Sequence, residues 1–208
     1  MAGPTTPATN TQVYEFDNRP FHGDGANYMA HGAKLRTVES KITGSWNGQE
    51  SIDIPGVKQH VTMNAVWENT ADHLMYFSVY QNGVGPVALT NANCPTRLVQ
   101  IQHGDGAYEN GDLFNIGDQS HGLILCRDSN DWKFRWNRAH AAEISLCRLG
   151  PADTSVRWEV QYTSDSLTPM FGVGTALLHM PIEQITNIGL KQTGSGFVTH
   201  TNLFARWW

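Results

Sequence analysis

Trp132-Lys133-Phe134-Arg135-Trp136-Asn137-Arg138 alternates between aromatic and polar or basic residues. Successive side chains on a β-strand point to opposite faces, so a period of two puts Trp132, Phe134 and Trp136 on one side and Lys133 and Arg135 on the other. One face of the resulting sheet is apolar and the other wet. This stretch reads as a strand and sets the class of the whole chain.

The composition agrees. Charged residues are 16% of the 208 and hydrophobic residues 40%, against about 25% charged in ordinary soluble domains. Exposed helix faces need Glu, Lys and Arg, so the deficit argues against an all-α fold. Asn47-Gly48, Asn82-Gly83 and Asn110-Gly111 are dipeptides that favour tight hairpins. Strands are expected at Val13–Phe16, Ala33–Ile42, Gln59–Trp67, His73–Gln81, Arg97–Gln102, Asp112–Ile116, Gly122–Cys126, Trp132–Arg138, Ala142–Leu149, Ser155–Tyr162, Thr175–Met180 and Gly196–Trp207. Asn137–Ile144, with its alanines, and Pro181–Ile188, with Pro181 in a first-turn position, read as short helices. The expected fold is all-β, an antiparallel jelly-roll-type β-sandwich with one or two short helices. Residues 1–12 read as a flexible Pro/Thr-rich arm and residues 13–208 as a single domain.

The net charge of −5 disfavours a surface that binds polyanion everywhere. Charge is uneven, however: six basic residues face four acidic ones between Arg127 and Arg157. Within that stretch Lys133, Arg135, Arg138 and Arg157 form a candidate nucleic-acid or polyanion surface. Because the aromatic and basic sets alternate, they cannot meet one strand of nucleic acid together, and the aromatic set reads as core. Met1–Asn10 has neither a basic region nor an apolar one, so no secretory signal peptide is expected. No apolar run is long enough for a membrane span. Cys94, Cys126 and Cys147 give no disulfide or zinc spacing.

Asp105, Glu109 and Asp112, separated by Gly-rich loop residues, are the candidate set for calcium. They match no calcium-loop pattern, and a solvated hairpin explains them as well. No other cofactor is signalled. His22 and His103 stand in identical His-Gly-Asp-Gly-Ala strings and are the candidates for an acid–base pair. No nucleophile elbow or phosphate loop is present, so the chain is expected not to be an enzyme. At the C-terminus, Phe204, Trp207 and Trp208 belong either to a central core strand or to a contact with a neighbouring subunit.

Tyr76–Val84, a strand running into Asn82-Gly83-Val84, followed by Glu109–Phe114 with its Gly111-Asp112-Leu113 opening, resembles the single-jelly-roll pattern of C1q/TNF-like proteins and small viral coat proteins. The resemblance implies a self-assembling coat or shell subunit, found in a virion or the cytoplasm, whose symmetric homo-oligomer buries the aromatic C-terminus. The chain departs from the coat proteins in having no Lys or Arg in Met1–Asn10. The alternative is a carbohydrate-binding, lectin-like β-sandwich, with Tyr108, Asp105 and Asn110 as its glycan site.

Overall fold

The computed structural model describes residues 11–16, 33–71, 74–82, 84–90, 92–102, 108–109, 122–125, 134–135, 137–164, 167, 169–193 and 196–208. In chain order the strands are β1 (Thr11–Phe16), β2 (Ala33–Thr43), β3 (Gln49–Asp53), β4 (His60–Asn69), β5 (Leu74–Gln81), β6 (Val84–Pro86), β7 (Thr96–Gln102), β8 (Tyr108–Glu109), β9 (Leu123–Ile124), β10 (Ala139–Arg148), β11 (Thr154–Thr163), β12 (Pro169–Leu178), β13 (Ile185–Thr193) and β14 (Val198–Trp207). Nine form an antiparallel sheet in the order β1-β2-β14-β4-β10-β11-β12-β7-β8. A second sheet has the order β3-β13-β5-β6, with β9 also on β5. The two pack face to face as an all-β, jelly-roll-type sandwich.

Alternation drives this arrangement. Along β11 Val156, Trp158, Val160 and Tyr162 are buried, while Ser155, Arg157, Glu159 and Gln161 face away. The same period turns Val61, Met63, Ala65 and Trp67 of β4 inward, and Leu203, Ala205 and Trp207 of β14. From the smaller sheet come Ile52, Phe77, Val79, Ile188 and Leu190. Each fully buried large side chain contributes about 1.5–3 kcal/mol. Lys41 of β2 ties the sheets together: its ammonium pairs with the Glu50 carboxylate and donates to the Ser51 carbonyl at 3.0 Å, both on β3.

Four expectations are corrected. The decisive stretch holds Phe134 in the core, bridged to Ser164, but the chain turns at Asn137, whose φ is +53°. Lys133, Trp132 and Trp136 lie outside the described residues. The segment Asn137–Ile144 is not helical, because Ala139 begins β10, laddered to β4 and β11 on either side, and two ladders override the helix preference of three alanines. Pro181 precedes only a 3-10 turn, Ile182–Gln184, before the β-branched residues of β13 take over. Finally, Thr11 and Gln12, expected in the arm, pair with Val38 and Thr37 respectively and open β1. Residues 1–10 and the expected strand at Asp112–Ile116 lie outside the described residues.

β12 starts at Pro169, six residues before the expected Thr175. Its glycines hide the pattern, and one is required by packing. Gly174 lies opposite Trp158, and a methyl group there would overlap the indole's benzene ring. We expect Gly174→Ala to lower stability by about 1–3 kcal/mol through overpacking. Adding Trp158→Phe should cost less in the Gly174→Ala background than alone. Denaturant midpoints of the two single variants and the double variant check this; simple additivity would refute the steric account.

His140 sits in an aromatic cluster, its ring 5.7 Å from that of Trp67 and 5.1 Å from that of Phe134; Phe134 is 4.7 Å from Tyr162. Its Nε2–H donates to the Arg135 carbonyl at 2.9 Å. Nδ1 is then an acceptor, buried with no partner among the described residues. Burial pushes the His140 pKa down to about 4. The unfolded chain binds this proton near pH 6.5, so stability is present above that value and is lost as pH falls towards 4. The loss is about 3 kcal/mol. Burial also lowers the His60 pKa, with Arg206 adding to it, in the same direction. A series of melting curves from pH 7 to 4 should show a falling midpoint, and His140→Gln should flatten it.

Candidate functional site

The outward face of the nine-stranded sheet is built by the residues that alternation excludes from the core. Pairing register arranges them in rows across the strands. One row runs Asn202 (β14), Val66 (β4), Ala141 (β10), Gln161 (β11), Phe171 (β12). The next runs Phe204, Asn64, Glu143, Glu159, Val173. A third runs Arg206, Thr62, Ser145, Arg157, Thr175 and, on β7, Arg97.

Small side chains at the centre shape this face. Ala139 and Ala141 leave β10 low on one side of Glu143 and Ser145 on the other, over about 20 Å of strand at 3.3 Å per residue. Two depressions lie along it. The larger, about 630 Å³, is bordered by Val66, Ala139, Ala141, Gln161, Thr163 and Phe171. The smaller, about 240 Å³, lies among Glu143, Ser145, Arg157 and Glu159. Apolar Val66 and Phe204, 46% and 36% exposed, stand on the β4 and β14 side.

The polar groups include both donors and acceptors. Glu143 and Glu159 face one another directly across β10 and β11, a like-charge arrangement that costs stability. Arg157 relieves one of them, donating to Glu159 at 2.7 Å. Asn64 and Gln161 add amides, which both donate and accept.

Of the four expected polyanion residues, Arg157 is on this face. Arg138 is exposed at the turn into β10, seven residues from Ser145, or about 23 Å along the strand. Arg135 is half-buried, with its backbone N–H bonded to the Thr163 carbonyl at 2.9 Å. Lys133 lies outside the described residues, and the set does not form one patch. The expected subunit contact is also divided. Trp207 is 2% exposed, and its Nε1–H donates to the Pro55 carbonyl at 3.1 Å. It is a core residue because β14 is a central strand. Trp208 is half-buried, its ring 4.4 Å from that of His60, and Phe204 is on the outward face.

Asp105, Asp112, His22, His103 and Asn110 lie outside the described residues. Tyr108 and Glu109 are described only as the backbone of β8. Among the described residues no three His, Cys, Asp or Glu side chains could hold a metal ion. Cys94 is buried, and burial pushes its thiol up to about 11, which suits an inert core residue. No helix among the described residues is long and apolar enough to cross a membrane.

Removing the Glu143–Glu159 repulsion should stabilise the fold. Glu143→Gln is expected to raise the thermal midpoint at pH 7, by the equivalent of about 0.2–1 kcal/mol. An unchanged midpoint would show that the repulsion is negligible, and a lowered one that Glu143 makes a stabilising contact.

No family model matches the chain, and no curated protein does. Among solved structures it is similar to the marine PL-14 alginate lyase from Aplysia kurodai, with a TM-score of 0.35 and 10% sequence identity over 82% of each chain.

Proposed function

We propose that this protein is a carbohydrate-binding β-sandwich whose ligand lies on the outward face of the nine-stranded sheet. The supporting observation is the pair of depressions along β10, one beside Val66, Ala141, Gln161 and Phe171 and one among Glu143, Ser145, Arg157 and Glu159, with Asn64 and Phe204 at the neighbouring register positions. Sugar rings combine an apolar C–H surface with directional hydroxyls. They need flat apolar groups beside fixed donors and acceptors, as this face supplies. Of the glycan residues expected from the sequence, Tyr108 continues the first row by register, through Ile101 from Phe171, and Asp105 and Asn110 lie outside the described residues.

The shell-subunit reading rests on composition and on the resemblance to jelly-roll coat proteins. One of the residues nominated for its contacts, Trp207, is buried inside its own chain. The two readings differ in what they predict for the outward face and for particle mass.

Ala141→Trp/Ser145→Trp fills both depressions at positions outside the core. Gel retardation against a panel of soluble polysaccharides should show binding by the wild type. The double variant should lose at least tenfold in affinity while keeping its circular dichroism and melting midpoint. Equal binding by the two proteins, or no retardation by any polysaccharide, would overturn the proposal. Uniform megadalton particles in light scattering, with this face inaccessible, would establish the shell instead.

A further inference from the structure

The row Arg206, Thr62, Ser145, Arg157, Thr175, Arg97 has a composition unlike its neighbours. It brings three arginines from β14, β11 and β7 into one line across the sheet, with only hydroxyl side chains between them. All three are exposed. Strands lie about 4.8 Å apart, so Arg206 and Arg157 are separated by about 14 Å and Arg157 and Arg97 by about 10 Å. Those gaps exceed the Debye length of about 8 Å at physiological salt, so the cations do not oppose one another strongly.

Among the residues whose side chains are described, neither Arg206 nor Arg97 makes an ion pair with a carboxylate. Arg157 gives one amine to Glu159 and retains further donors. A guanidinium with free donors recognises carboxylate or sulfate in a bidentate, charge-assisted way. Ser145 and Thr175 add hydroxyls between the posts.

We infer that the carbohydrate bound on this face is an acidic polysaccharide, lying across the strands with carboxylate or sulfate groups on Arg206, Arg157 and Arg97. This rests on the carbohydrate reading above and specifies its ligand class. Nucleic acid fits less well. Single-strand binding stacks bases on aromatic side chains set among the cations, and this row has none.

The test compares affinity for polygalacturonate, dextran sulfate, neutral dextran and single-stranded DNA at two salt concentrations. Wild type should bind an acidic polymer at least tenfold more tightly than neutral dextran, and added salt should weaken that binding. Arg206→Gln, Arg157→Gln and Arg97→Gln should each weaken it about five- to tenfold. Arg148→Gln removes the same charge from the end of β10, where Arg148 pairs with Glu183. It should leave affinity unchanged. Tight binding of neutral dextran that survives the triple Arg→Gln change would overturn this inference and leave the carbohydrate reading standing. Binding of none of the three polysaccharides would overturn both. DNA affinity equal to that for the acidic polymers, lost in the same variants, would replace polysaccharide with nucleic acid.

Discussion

The larger sheet depends on a pair of ladders made by its last strand. β14 pairs with β2 on one edge and β4 on the other, so the final strand in sequence lies inside the sheet. Removing it would separate β1 and β2 from the other six strands. It would also take Leu203, Ala205 and Trp207 out of the core, where they meet residues from both sheets. The last described residue is held as well: the Trp208 carbonyl accepts from the Gln59 N–H, and Trp208 and His60 exchange backbone hydrogen bonds at 3.2 Å. Pairing on both edges satisfies the backbone of β14, and alternation buries Leu203, Ala205 and Trp207 while Asn202, Phe204 and Arg206 face outward.

The same ladders create the outward face. Arg97, Arg157 and Arg206 are far apart in sequence and stand in line only because β7, β12, β11, β10, β4 and β14 are in register. Sheet pairing fixes their spacing, and the alternation that buries Trp158 also exposes Arg157 and Glu159. Core and face are therefore two readings of one periodicity. A substitution that shifted any of these strands by one residue would exchange them.

The sequence showed strands where apolar and polar residues alternate, without interruption in Ser155–Tyr162 and over most of His60–Asn69. It was misleading where small residues removed the contrast. Ala139, Ala141 and Ala142 resembled a helix although they lie in β10, and Gly172 and Gly174 concealed the first half of β12. β13 followed a proline and a glutamate that suit a helix start. The outward face was less legible still. Arg157 stood out because it lies near other basic residues in sequence, whereas Arg97 and Arg206 have no basic cluster around them. Their relation is one of register, and register between distant strands leaves no mark in a single sequence.

Gly174 has a consequence for how β11 and β12 find each other. The Trp158 indole occupies a slot that exists only where the facing strand has no side chain. Sliding β12 by one residue would turn its buried side chains to solvent. Sliding it by two towards Ala176 would put a methyl group beneath the ring. Sliding it by two the other way would bring Gly172 beneath it, and steric hindrance at the indole would then not object. The tryptophan thus works as a ratchet, blocking misalignment in one direction and leaving the other to be opposed by the displaced pairs at the strand ends.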